Sequence, residues 1–189
     1  VNARLQVEHP VTELVTGVDL VHLQVRVAVG ERLSDLLKGR DLSPRGHSME
    51  VRICAENPEG GFLPAAGLLR LVREPEGPGL RVDSGVYSGW EVPVHYDSLL
   101  AKLIVHAPDR ATACARLSQA LTDCAYLGIP TNVDFLRRLV RQYGRTQDQV
   151  FPTGIFFKSG TPYGSDVNFP VTTDEYNNPD FKGCTDRKA

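Results

Sequence analysis

Residues 1–9 read V-N-A-R-L-Q-V-E-H and alternate strictly: Val1, Ala3, Leu5 and Val7 are apolar, while Asn2, Arg4, Gln6 and Glu8 are polar. Successive side chains on a strand point to opposite faces. This spacing therefore predicts a strand that buries one face and lines up an amide, a guanidinium, a second amide and a carboxylate on the other. Such a row suits a small anion beside a metal-bound phosphate. A solvated outer face of a half-buried antiparallel strand shows the same alternation. The chain opens on Val1, already inside this pattern, and is expected to be a segment of a longer protein.

Working outward, Pro10 sits where a helix can begin. Val11, Leu14, Val15 and Val18 recur at helical spacing, as do Val21, Val25, Ala28 and Val29. Gly17 interrupts the run, and Asp19 after it is a good N-cap. A short helix, a break and a longer helix over 19–29 follow, with Gly30 closing the second. A single helical turn is expected near Leu33–Leu37, inside a connection that reaches residue 46.

From Gly46 the period becomes two. His47, Met49, Val51 and Ile53 share one face, and Ser48, Glu50, Arg52 and Cys54 the other. Strand signals recur at 68–73, 80–83, 91–95 and 99–106, separated by Gly and Pro, which favours an antiparallel sheet. Two helices then return. The first is expected over 109–127, with Ala113, Cys114, Leu117, Leu121 and Cys124 inward and Gly128 as its C-terminal stop. The second starts at Thr131 and buries Val133, Leu136, Leu139 and Val140 up to Gly144. Strands followed by helices define an α+β class. Residues 152–189 are dominated by Gly, Pro, Asn, Asp, Ser and Thr. This tail either lies on the domain by its aromatics or is partly disordered; the composition favours partial disorder.

Composition excludes some functions. The 189 residues are 41% hydrophobic and 23% charged, a globular balance with room for a sizeable core. The net charge of −2 offers no surface for nucleic acid, and no apolar run reaches membrane-spanning length. Cys54, Cys114, Cys124 and Cys184 form no C-x-x-C pair. Cys114 and Cys124 on one helix would stand roughly 15 Å apart, beyond disulfide reach. Reduced thiols and a cytoplasmic-type compartment are expected. His9, His22, His47, His95 and His106 show no ligand spacing for a metal.

The words N-x-R-L-Q-V-E-H-P-V-T-E at 2–13 and V-T-G-V-D-L-V at 15–21 closely resemble the signature of the biotin carboxylase family, ATP-grasp enzymes of the biotin-dependent carboxylases. G-H-S-M-E-V-R-I-C-A-E-N-P at 46–58 and G-F-L-P at 61–64 extend the likeness. So do G-P-G-L-R-V-D-S-G-V-Y-S-G-W-E-V-P at 77–93, Y-D-S-L-L-A-K-L-I-V at 96–105 and G-I-P-T-N at 128–132. The resemblance implies three parts. Residues 1–30 end an ATP-grasp catalytic domain, 31–144 form a biotin carboxylase C-terminal domain, and 145–189 are a divergent tail.

The implied reaction is ATP- and bicarbonate-dependent carboxylation of biotin on a carrier domain, by way of carboxyphosphate. By resemblance, Asn2 is a ligand of Mg²⁺ or Mn²⁺. Arg4, Gln6 and the backbone N–H of Val7 bind bicarbonate, Arg4 with a planar fork that matches the anion. Glu8 is the general base. Arg81 stabilises the enolate-like oxygen of deprotonated biotin. Against these roles stand an exposed Arg4–Glu8 ion pair worth under about 1 kcal/mol and a salt bridge from Arg81 to Asp83 or Glu91. Glu50 and Arg52 are expected to form a structural ion pair, and Lys102 and Asp97 to be structural.

The family's phosphate loop, ATP-binding lysines and acidic metal ligand precede this segment, so the isolated chain is expected to be inactive. The implied partners are a biotin carboxyl carrier domain, a carboxyltransferase and a second copy of the parent enzyme, with no nucleic acid and no membrane. The implied location is the cytoplasm, or the mitochondrial matrix in a eukaryote. The final carboxyl acceptor is not legible. Two other readings stay open: a non-catalytic dimerisation or interaction module, and a fragment of another ATP-grasp ligase.

Overall fold

The computed structural model describes residues 3–143 and the backbone of 155–159. The N-terminal part is helical: α1 is His9–Thr16, α2 Leu20–Ala28 and α3 Leu33–Leu36. Gly17 ends α1 in the left-handed region at φ +69°, and its N–H donates to Glu13 O. Asp19 caps α2 by accepting from the His22 N–H. The two-helix reading with a break at Gly17 is what the fold contains.

A run of strands follows: β1 (His47–Cys54), β2 (Glu56–Asn57), β3 (Leu63–Pro64), β4 (Gly67–Leu68), β5 (Leu71–Arg73), β6 (Leu80–Ser84), β7 (Glu91–Val92) and β8 (Leu99–Ala107). Then come α4 (Arg110–Asp123), β9 (Ala125–Leu127), α5 (Val133–Tyr143) and β10 (Ile155–Ser159). The main sheet has the order β10-β1-β8-β6 and is antiparallel throughout. Three two-stranded pairs, β2-β3, β4-β7 and β5-β9, complete the strands. Strands followed by helices give the α+β class.

The period-two pattern of β1 and β8 decides what each face does. Met49 pairs with Val105, Val51 with Leu103 and Ile53 with Ala101. All six side chains are buried, in one cluster with Ala113, Leu117 and Leu121 of α4 and Leu136, Leu139 and Val140 of α5. The opposite face carries Glu50, Arg52, Lys102, Ile104, Arg81 and Asp83. In register, Arg52 faces Lys102, Lys102 faces Asp83, and Ile104 lies between Glu50 and Arg81. The segment around α1 covers this face through Glu8, Val7 and Glu13.

Two expectations are corrected. Residues 3–8 form no strand: Val7 and Glu8 make a turn that leads into α1. Alternation yields a strand only where a neighbouring strand completes its hydrogen-bond ladder. Here the Gln6 carbonyl accepts from His9 N–H at 3.3 Å and the Glu8 carbonyl from Val11 N–H at 3.1 Å, so the backbone is turned into the helix. The helix expected over 109–127 stops at Asp123, because residues 125–127 pair with β5 as β9. Gly128 therefore follows a strand; it holds φ +122°, and an added Cβ would run into the Leu68 carbonyl. In the tail, Ile155–Ser159 adds a strand to the free edge of β1. The rest of 145–189, with Asn2 and Cys184, lies outside the described residues. No helix among the described residues is long and apolar enough to cross a membrane.

Candidate active site

With no strand at 3–8, the polar residues do not form one row. Arg4 and Gln6 are exposed. The Arg4 guanidinium donates to the Leu5 carbonyl at 3.2 Å. Glu8 turns inward, because it stands where the chain enters α1 and α1 lies on the sheet. Its Oε2 accepts from Arg52 Nη2 at 3.1 Å, and both side chains keep about a third of their exposure, 28% and 32%. One residue earlier, the Val7 carbonyl accepts from Lys102 Nζ at 3.1 Å. The carboxylate read as a base thus meets a guanidinium from β1 and is tethered by a lysine from β8.

Arg52 is the side chain that the sequence places elsewhere. Its neighbour on the same strand face is Glu50, yet it reaches across to Glu8. Its backbone is held in place as well. Asn132, buried just before α5, donates from Nδ2 to the Arg52 carbonyl and accepts at Oδ1 from the Cys54 N–H, both at 2.9 Å. The signal for Arg52 is the shared face of Glu50 and Arg52; which carboxylate it meets depends on the entry to α1, 44 residues away along the chain.

Arg81 is placed apart from Glu8. Its Nε and Nη2 donate to the two Asp83 oxygens at 2.7 and 3.0 Å, and its Nη1 donates to Glu13 Oε2 at 2.7 Å. The hydrogen bond to Asp83 dominates over partial burial, and with Glu13 it pushes Arg81 still higher than an ordinary arginine. Lys102 reaches Asp83 at 3.0 Å. Burial opposes ionisation of Asp83, but hydrogen bonds from Arg81 and Lys102 outweigh it and hold this carboxyl below its usual range. Of the two alternatives to a catalytic Arg81, the bridge to Asp83 is the one present, joined by Glu13. It pins α1 to β6.

Glu50 is fully buried, and neither of its oxygens takes a hydrogen bond among the described residues. Burial pushes its carboxyl up to about 8, against the pull of Lys102 and Arg52. Among the described residues no three His, Cys, Asp or Glu side chains gather into a metal site. Asn2, the expected ligand, lies outside those residues, and the donors among them do not make a metal centre.

A family model described as the biotin carboxylase C-terminal domain matches residues 50–155, which includes β1 from Glu50 onward, β6, β8 and both C-terminal helices. The chain belongs to the biotin carboxylase C-terminal domain family. The match runs past residue 140, where the likeness read from the residues ends. A second model, the ATP binding domain of the carbamoyl-phosphate synthase L chain, matches residues 1–36. The biotin carboxylase of Nostoc sp. is 51% identical over 139 residues, covering 74% of this chain and 31% of the relative. A pyruvate carboxylase subunit from Methanothermobacter thermautotrophicus is 49% identical over 140 residues, covering 74% and 28%.

Among solved structures, the biotin carboxylase domain dimer of Hydrogenobacter thermophilus 2-oxoglutarate carboxylase, in complex with MgADP, ADP and bicarbonate, superposes with a TM-score of 0.70. It is 42% identical and is matched over 74% of this chain and 30% of its own. The chain thus spans about a third of the length of these biotin carboxylase relatives.

Proposed function

We propose that this chain is the C-terminal part of a biotin carboxylase, which uses ATP and bicarbonate to carboxylate biotin on a carrier domain. The observation that carries the reading is the Glu8–Arg52 contact, 3.1 Å long and still open to solvent on both sides, in a chain of this family. Glu8 is the base that takes the proton of bicarbonate, and an ionised carboxylate within reach of the substrate is what that step requires. Arg52 stands beside it and compensates negative charge that builds on the reacting anion. Arg4 and Gln6, exposed on the approach to Glu8, bind bicarbonate with a guanidinium fork and an amide, and the Val7 N–H adds a third donor. Biotin, when bound, supplies the nitrogen that receives the carboxyl group. The Glu8–Arg52 pair has the polarity and access to face it.

In this reading Arg81 is a structural cation that fixes α1, and through α1 the position of Glu8. A metal that neutralised the phosphates would need donors beyond the described residues, Asn2 being the one that the resemblance implies. A carrier domain and a carboxyltransferase are the partners, with a second copy of the parent enzyme. The dimeric Hydrogenobacter relative supports that last point. The relatives serve pyruvate and 2-oxoglutarate carboxylases. The acceptor is therefore set outside this segment. Free thiols at Cys54, Cys114 and Cys124 fit a reducing compartment, the cytoplasm or a mitochondrial matrix.

The test is bicarbonate-dependent ATP cleavage and carboxylation of free biotin by the full-length protein. Both activities are expected there, and neither from the 189-residue chain alone. A full-length protein without either activity refutes the reading.

A further inference from the structure

Around Glu50 the charged face of the sheet is paired off. Arg52 holds Glu8. Lys102 holds Asp83. Arg81 holds Asp83 and Glu13. Three cations are thereby matched by three anions. Glu50 itself is fully buried with both oxygens unsatisfied among the described residues. A buried carboxylate without hydrogen bonds is costly, so such a group either stays protonated or draws in a cation.

Two cations stand within its reach. Arg52 lies two residues along β1 on the same face, and Lys102 faces Arg52 from β8. Both pull on Glu50. Lys102 is already tied at two points, to Asp83 and to the Val7 carbonyl. Arg52 has the longer, forked side chain, and it keeps about a third of its exposure.

We propose that Glu50 is a positioning residue that competes with Glu8 for the Arg52 guanidinium, its proton deciding which carboxylate Arg52 serves. With Glu50 neutral, Arg52 is committed to Glu8. With Glu50 ionised, the guanidinium swings toward the buried charge, and Glu8 is left freer and more basic. The inference rests on the proposed role of Glu8 only for its effect on catalysis; the competition itself is a property of the folded chain.

The elements packed around Glu50 carry these charged and titratable residues. Arg52 comes from β1, Lys102 and His106 from β8, and Arg81 and Asp83 from β6. Glu8, His9 and Glu13 come from the segment around α1. On β10, Phe156 is in register with Glu50 and Lys158 with Ser48. Of these, Lys102 and Arg52 favour ionisation of Glu50, whereas Glu8 and Asp83 oppose it.

The experiment is a mutant cycle on the stability of the full-length protein at about pH 6.5 and about pH 9.5, on either side of the Glu50 titration. Glu8→Gln removes one competitor and Glu50→Gln the other. In the Glu50-containing background, the loss of denaturation midpoint caused by Glu8→Gln should be clear at the lower pH and largely gone at the higher. In the Glu50→Gln background it should be the same at both. Infrared spectroscopy of the protein near neutral pH should show a protonated carboxyl band that Glu50→Gln removes. The change in bicarbonate-dependent ATP cleavage between the two pH values should differ about three- to tenfold between the native protein and Glu50→Gln, because both the base and the guanidinium beside it are altered.

A Glu8→Gln effect with the same pH dependence in both backgrounds overturns the proposal, as does an unchanged infrared band. Absence of bicarbonate-dependent cleavage in the native full-length protein overturns the enzymatic reading instead and leaves the stability cycle as the judge of the competition.

Discussion

The two faces of the main sheet are built from the same strands, alternate residue by alternate residue, and they do different work. Under α4 and α5, Met49, Val51, Ile53, Leu103 and Val105 sit at 0–1% exposure. There, stability comes from apolar area removed from water and from close packing. Under α1 the face is a lattice of charges in which each contact is specific to one partner. The comparison teaches that β1 is buried on both sides for two reasons. One side is held by volume, the other by charge, and only the charged side offers atoms that can do chemistry.

The largest expected effect separates the faces outright. Glu8→Gln in the full-length protein should lower bicarbonate-dependent turnover by roughly 10²–10⁴-fold, the range for loss of a general base. Its melting temperature should fall by only a few degrees at acid to neutral pH, a small but measurable loss, because a partly exposed pair contributes little to stability. Leu103→Ala on the opposite face should do the reverse. It should cost about 2–5 kcal/mol in a denaturant titration and leave kcat/KM per folded molecule in place. If Leu103→Ala proved as harmful to chemistry as Glu8→Gln, the division between the faces would be broken.

Asn132→Ala comes next, because it sharpens the boundary. The Asn132 side chain satisfies the Arg52 carbonyl and the Cys54 N–H inside the fold. Removing it should cost about 1–3 kcal/mol through unsatisfied backbone groups, with a smaller secondary loss of activity as Arg52 loosens. Differential unfolding and single-turnover ATP cleavage together read the two effects.

Arg81→Ala should cost a similar or smaller amount, about 1–3 kcal/mol, between the exposed and buried limits for broken ion pairs. It leaves Glu13, at 10% side-chain exposure, facing Asp83 without its cation. Both partial reactions should fall together, in proportion to the displacement of α1. Loss confined to biotin carboxylation, with ATP cleavage and melting temperature intact, would instead return Arg81 to a catalytic role.

The smallest effect is a slope. Glu50 is raised above its unfolded value, so the folded state holds a proton that the unfolded chain releases. The contribution of Glu50 to stability is therefore greatest below the unfolded carboxylate value near 4.3 and declines as pH rises toward about 8. Glu50→Gln should flatten that decline. A melting-temperature series over this window checks it, and an unchanged slope would assign the buried carboxyl an ordinary ionisation.

Periodicity alone determined the helices at 9–16 and 20–28, the strand at 47–54, the long strand at 99–107 and the inward residues of α4 and α5. In each, the period of the apolar positions and the capping residues, Gly17 and Asp19 among them, point the same way, so local physics suffices. Family resemblance read from the residues supplied Glu8 and the chemistry around it.

Tertiary structure decided the rest. Residues 3–8 have the alternation of a strand, but a strand exists only beside a partner, and their carbonyls serve the first turn of α1 and Lys102 instead. Residues 125–127 continue a helical pattern, yet pairing with β5 takes them. Arg52 and Arg81 are both arginines on the same sheet face. Nothing in their local sequence tells which one meets Glu8. The packing of α1 across β1, β8 and β6 settles it, because an ion pair depends on where two distant backbones place their side chains, and that information is held by neither segment alone.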